Sequence, residues 1–241
     1  MIDYLQLKPE REAIAQACRV MGKMGLTQST FGHISLRLEG HDLLLIRARG
    51  PGESGLSYTT ADDIILVDFD GRKIAGRPDL DVPKEIYIHT WVLKTRPQMN
   101  SVLHAHPAKV MLFSICNKPL LPLFGAYDPS ALRLLKKDLC AYPRSILISN
   151  EALGQELAQT MLHSKACMMR GHGITTCGKS VQDATLTAIR LYELADINYQ
   201  AYLLGDPQPI SEEDQESFEN LPPSPDEAYW RYYCRKVDEL R

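Results

Sequence analysis

Three histidines carry the first chemical signal in this chain. His104 and His106 stand two apart in Ser101-Val102-Leu103-His104-Ala105-His106-Pro107, and His172 lies far downstream between Gly171 and Gly173. Side chains two apart on a strand point to the same face, so the first two imidazoles can converge on one ion. Three nitrogen donors with a fourth position open describe a catalytic metal site rather than a closed structural one. A His-x-His pair also occurs as surface decoration of a strand; the glycine-flanked third histidine favours the metal. Glu85 lies 19 residues before His104, near the start of a helix. A carboxylate there has three readings: a fourth ligand, a general acid/base beside the metal, or an ordinary glutamate favoured by the helix dipole.

The elements that must hold these groups are legible from periodicity and punctuation. Residues 10–24 repeat Ile14, Ala17, Cys18 and Met21 at helical spacing, with Gly25 as the stop. Residues 31–37 and 42–47 read as a hairpin turned at Glu39-Gly40, and 64–68 as a third strand before Asp70-Gly71. Between them runs a glycine-rich loop, Arg49-Gly50-Pro51-Gly52-Glu53-Ser54-Gly55. The spacing predicts a helix over 83–95, with Pro83 in its first turn, then the histidine strand over 102–106 and a helix over 108–117. Further strands are expected over 145–149 and 166–170, separated by a helix over 152–163. The longest helix is expected over 181–204. The tail from Pro207 to Pro225, rich in proline and acid, reads as an extended arm, and 227–240 as a closing helix with Tyr229, Trp230, Tyr233 and Val237 on one side. This predicts two units: a catalytic domain over 1–205, and over 206–241 an arm and helix that pack on the core or on a neighbouring subunit.

Composition sets the outer bounds. The chain has 241 residues, enough for one sizeable core. Its net charge of −3 offers no basic field for nucleic acid or an anionic membrane. No apolar run approaches the roughly 20 residues that span a bilayer, and Met1–Lys8 lacks the layout of a signal peptide. The six cysteines are scattered without a CxxC pair, which argues against a disulfide framework or zinc knuckle and for a reducing cytoplasm. No GxGxxG follows the first strand and no GxxxxGK[ST] occurs, so nucleotide-binding loops are not indicated.

Taken in order, several segments resemble the class II aldolase/adducin superfamily. They are Gly32-His33-Ile34-Ser35-Leu36-Arg37; the run from Thr59 to Asp68; Glu85; Arg96-Pro97; His104-Ala105-His106-Pro107; Gly171-His172-Gly173; and Asp183-Ala184. Each is weak alone, and together they span most of the chain. The resemblance implies an α/β fold, a three-layer α/β/α sandwich around a mainly antiparallel central sheet. It implies His104, His106 and His172 as ligands of a divalent metal ion, zinc first, with manganese, cobalt or iron as alternatives. It implies Glu85 as the proton-transferring acid/base, a small-molecule substrate, and a homotetramer with sites near subunit boundaries.

Departures from the family pattern point to the substrate. The sugar-phosphate enzymes of the superfamily bind phosphate through three small polar patches, and here these read Gly32-His33, Arg47-Ala48-Arg49-Gly50 and Pro83-Lys84. Lost hydroxyls and an asparagine give way to cations and an imidazole. Arginine pairs bidentately with a carboxylate, and an imidazole can stack on a ring or donate to a phenol oxygen. These residues resemble the branch that decarboxylates hydroxylated aromatic diacids, such as dihydroxyphthalate. His33 is accordingly expected to be catalytic, and Arg47, Arg49, Ser35 and Tyr127 to bind substrate, with Tyr127 able to serve a neighbour's site. Lys84 is expected to face solvent, and His89 to be a packed helix histidine, one turn after Glu85. The alternatives are an aldolase or dehydratase acting on a small hydroxy-carbonyl or sugar-phosphate compound, and a non-catalytic adducin-like scaffold.

Overall fold

A computed structural model describes residues 2–219, 221 and 225–239. Met1 at the start of the first expected unit, Asn220, Pro222, Pro223 and Ser224 in the tail, and Leu240 and Arg241 at its end lie outside the described residues. The frame is one eight-stranded sheet: β1 (His33–Arg37), β2 (Leu43–Arg47), β3 (Ile64–Asp68), β4 (Lys73–Ala75), β5 (Ser101–Ala105), β6 (Leu139–Tyr142), β7 (Ala166–Met169) and β8 (Gly173–Gly178), in spatial order β4-β3-β2-β1-β5-β8-β7-β6. Every pairing is antiparallel except β6 with β7. The central strand β5 carries His104 and is buried along its whole length.

Helices cover both faces. On one side α1 (Lys8–Lys23), α3 (Ala108–Cys116), α6 (Val181–Leu204) and α8 (Asp226–Glu239) bury Ile14, Met21, Leu191 and Val237 against Ile34, Leu66, Leu103 and Ile174 of the sheet. On the other, α2 (Ile86–Thr95) and α5 (Glu151–Thr160) bury Ile88, Val92 and Leu157 against Ile46, Val67 and Val102. Strand alternation assigns the faces: Leu103 and Ala105 look toward α1 and α6, whereas Val102 and His104 look toward α2. The expected three-layer α/β/α sandwich around a mainly antiparallel sheet is therefore present. Two short helices complete the fold, α4 (Pro129–Arg133) and α7 (Glu212–Glu219).

Three expectations are corrected. The segment 145–149 is irregular; the edge strand is β6, six residues earlier, and it pairs in parallel with β7. An edge strand with half-buried residues lacks the alternation that betrays a strand. The tail is not extended throughout, because Ser211 and its acidic neighbours open α7, with the Ser211 hydroxyl accepting from the Asp214 N–H. Strand β8, directly after Gly171-His172, was not anticipated. It lies against β5 with His104 opposite Thr175.

Candidate metal centre and substrate cavity

The site assembles where three elements end. His104 is the next-to-last residue of β5 and His106 lies one residue beyond it. His172 sits in the β7–β8 turn, which Gly171 makes possible by adopting φ +58, a conformation costly for other residues. Gly173 is required by crowding: a Cβ there would lie 2.3 Å from the Ala105 carbonyl oxygen and 2.8 Å from the His106 ring. The Gly-His-Gly motif thus lets the third histidine approach the first two. Glu85 caps α2 without a side-chain capping bond; its carboxylate turns into the site and accepts from the Ile148 N–H at 3.1 Å.

The donor atoms converge. His104 Nε2 and His106 Nε2 are 2.9 Å apart. The Glu85 oxygens lie 3.5 Å from His104 Nε2 and 3.4 Å from His172 Nε2, and one ligand atom from each of the four residues falls within 4.8 Å of every other. Nitrogens held about 2.0–2.1 Å from a tetrahedral zinc ion are roughly 3.3 Å from one another, so the set has the dimensions of a metal centre. Protonation agrees. Burial keeps His104 neutral, well below the ordinary imidazole range, and draws His106 down to about 4. The Thr175 hydroxyl donates to Met169 Sδ, leaving its oxygen to accept from His104 Nδ1–H at 3.3 Å, which turns the Nε2 lone pair toward the cluster. Burial alone would raise the Glu85 carboxyl, but its contacts with His172 and His104 and the Ile148 N–H outweigh it and hold it down to about 2. Glu85 is thus a carboxylate.

Beside the cluster opens a cavity of about 440 Å³, lined among others by Phe31, His33, Arg49, Glu53, Glu85 and His106. That volume suits a small ligand. The loop bearing Arg49 is pinned to the segment before Glu85, because Arg49 and Asp81 exchange both backbone hydrogen bonds, at 2.9 and 2.7 Å. Phe31 stacks on His106 with ring centroids 5.4 Å apart, half-exposed at the mouth.

The sequence-predicted residues divide. His33 lines the cavity, is buried, and stacks on His104 at 5.2 Å. Arg49 lines it with a half-exposed guanidinium that meets the Thr30 carbonyl and Glu53. Lys84, expected in solvent, is exposed but also lines it. Arg47 does not line it: 1% exposed, it donates to the Thr30 and Gly32 carbonyls and pairs with Glu53 at 2.6 Å, which makes it a brace behind the wall. Ser35 is fully buried and reaches His89, not the cavity. Tyr127 is 74% exposed, packs on Phe124, and lies outside this cavity lining. Sequence reasoning missed Glu53, Thr175, and the role of His89, which is packed as expected and bonds His33. Only Glu53, an acid four residues after Arg49 in the glycine-rich loop, left a signal that a closer reading of the loop could have used.

Comparison with known proteins agrees with this fold. The model of the Class II Aldolase and Adducin N-terminal domain matches residues 12–199. A 3,4-dihydroxyphthalate decarboxylase of Arthrobacter keyseri is 41% identical over 199 residues, covering 81% of this chain and 79% of its own. One from Terrabacter sp. (strain DBF63) is 38% identical over 234 residues, covering 95% and 97%. Among solved structures, an aldolase II superfamily protein from Pseudomonas syringae superposes with a TM-score of 0.84 at 21% identity, over 98% of this chain and 94% of that one.

Proposed function

The chain belongs to the class II aldolase and adducin family and is a lyase, and from that premise we propose that it decarboxylates an ortho-hydroxylated aromatic dicarboxylate of the 3,4-dihydroxyphthalate type. The observation that carries the reading is the meeting of Glu85, His104, His106 and His172 beside a cavity whose other walls are His33, Arg49 and Phe31. Its residues suit a flat, anionic, hydroxylated ring: Phe31 offers a face, Arg49 a carboxylate partner, and His33 a partner for a ring oxygen.

His104, His106 and His172 hold a divalent cation, zinc first, with manganese, cobalt or iron as alternatives. When bound, that cation supplies positive charge that draws electrons toward the ring oxygens. Glu85, ionised, takes the proton of a ring hydroxyl and delivers it to the ring carbon that bears the departing carboxylate. The carbon–carbon bond then breaks, its electron pair restores the aromatic ring, and carbon dioxide leaves. The phenolate product takes a proton from solvent. Arg49 keeps the second carboxylate in place while His33 holds a ring oxygen. The buried Arg47 and Ser35 support these contacts from behind, and Tyr127 reaches a neighbour's cavity in a homotetramer. The catalytic unit is residues 1–205, with 206–241 as an appended arm and helix, and the six free thiols suit the cytoplasm. The altered phosphate patches weigh against an aldolase acting on sugar phosphates.

The test is carbon dioxide release from a panel of ortho-hydroxylated aromatic dicarboxylates by metal-loaded protein, beside a His104→Ala control. Release from a panel member that disappears in the control is expected. No release from any member, with metal-dependent cleavage of a hydroxy-aldehyde or hydroxy-ketone, overturns the reading in favour of the aldolase.

A further inference from the structure

One group on the cavity wall has no part in the reaction above. Glu53 lines the cavity, yet both of its oxygens meet cations of its own chain: Oε2 lies 2.6 Å from Arg47 Nη2, and Oε1 lies 3.3 Å from Arg49 Nε. The loop brings it there. Arg47 closes β2 and Arg49 follows two residues later. The Glu53 N–H then donates to the Gly50 carbonyl at 3.1 Å, so the chain folds back on itself in a tight turn. Gly50 permits the turn: it adopts φ +140, and a Cβ there would lie 2.9 Å from the Asp79 carbonyl oxygen. The bridge is largely dry, with 12% of the Glu53 side chain and 1% of the Arg47 side chain exposed against 30% for Arg49.

Two guanidiniums side by side form a receptor for an oxyanion, since each fork matches a pair of oxygens. Removed from water, they also need one: a buried charge left without a partner is strongly destabilising. Glu53 meets that need from within the chain. Burial draws the Arg49 guanidinium below its ordinary range, Glu53 opposes the fall and Arg47 deepens it. A phosphate dianion directed at the same two arginines would therefore have to lie against the Glu53 carboxylate, like charge against like. A ligand carboxylate asks less. Arg49 has five N–H groups, and its contacts with Glu53 and with the Thr30 carbonyl and hydroxyl occupy three. Two remain for a single carboxylate in the cavity, while Arg47 does not reach the lining.

We infer that Glu53 is a specificity-determining residue, an internal anion that holds the arginine wall so that the cavity takes a carboxylate at Arg49 and turns a phosphate group away. That the bound molecule is an aromatic dicarboxylate rests on the reaction proposed above; the exclusion of phosphate does not.

The test uses inorganic phosphate as the probe, titrated calorimetrically into zinc-loaded protein in a buffer without other multivalent anions. Glu53→Gln is expected to bind phosphate about tenfold more tightly than the unmodified protein, or better, because the like charge is gone. The gain should vanish when Arg49→Gln is added. Glu53→Asp retains the charge and should keep phosphate out. Equal phosphate affinity in the unmodified protein and Glu53→Gln overturns the inference. So does a gain that survives Arg49→Gln, which would place the phosphate on the metal instead. Loss of the carboxylate also leaves the buried Arg47 unpaired, so Glu53→Gln should melt at a lower temperature. Phosphate should raise that melting temperature more than it raises the unmodified protein's. A Glu53→Gln chain that stays unfolded with phosphate present would make Glu53 a structural brace and end the inference. If no aromatic dicarboxylate is turned over, the decarboxylase reading fails while the phosphate titrations still decide this one.

Discussion

At the scale of single residues, the site works because burial and hydrogen bonds fix which atoms carry protons. Glu85 has two candidate duties, ligand and proton carrier, and its held-down carboxyl is compatible with both. Glu85→Gln separates them. A proton carrier lost should lower kcat by about 10²–10⁴-fold while bound metal, measured by atomic absorption after desalting, stays near one ion per chain; parallel loss of metal would make Glu85 a ligand. Gly173→Ala is expected to do the reverse and reduce metal retention, since its Cβ would displace the Ala105 carbonyl and the His106 ring. The buried imidazoles also set an acid limit. Unfolded, His89 takes a proton below its ordinary 6.5; folded, it refuses one until about 3. Across that window the unfolded state binds more protons, so stability rises with pH and falls on acidification, by up to about 1.4 kcal/mol per pH unit for each such group. His33 and His104 act in the same direction. The urea midpoint of metal-free protein should therefore drop between about pH 7 and pH 5; a flat midpoint would mean the histidines are protonated in the native state.

At the scale of elements, the helix that carries Glu85 and His89 is held by its contact with α5. Gly154 makes that contact: a Cβ there would lie 2.6 Å from the Trp91 ring and 2.6 Å from the Tyr87 carbonyl oxygen. Gly154→Ala gains helix propensity but forces the two helices apart, and overpacking of this kind costs about 1–3 kcal/mol. Its melting temperature should fall, and kcat should fall with it because Glu85 moves with α2; an unchanged melting temperature would show that the interface yields freely. This pairing also marks what the sequence can disclose. Helix α6 was legible at both ends because its stripe is long and bounded by glycine signals, and β3 because its apolar run meets a tight turn. The cluster of His104, His106 and His172 was legible because the three histidines and the glycines beside the last are local motifs. The His33–His89–Ser35 chain was not, since it joins α2 to β1 across 54 and 56 residues; no periodicity records a contact between a helix and a strand. Arg47 misled for a related reason: an Arg-x-Arg pair shows cations, but strand alternation and the Glu53 partner decide that one guanidinium is inside the wall.

At the scale of the whole molecule, large apolar side chains remain exposed: Phe31, Ile115 and Leu147 beside the site, Tyr127 against Phe124, and Leu203 and Leu204 at the end of α6. Apolar surface of that kind is commonly covered by a partner, and the proposed homotetramer would cover it with further copies of this chain. Tyr127 connects this to chemistry, because it is ordered beside Phe124 yet outside its own cavity lining. If it completes a neighbouring cavity, two inactive variants should repair one another. Tyr127→Phe lacks the phenol it would lend, and His104→Ala lacks a metal ligand it needs for itself. In a mixed oligomer, a subunit with intact histidines can sit beside a subunit with an intact Tyr127, so activity should return when the two are co-expressed, and should be absent when each is purified alone. Sedimentation velocity on the same samples reports whether mixed and single-variant proteins share one assembly. Full activity of Tyr127→Phe by itself would place the tyrosine outside the reaction. A weakly active Tyr127→Phe that His104→Ala cannot complement, within the same assembly, would place its effect inside its own subunit.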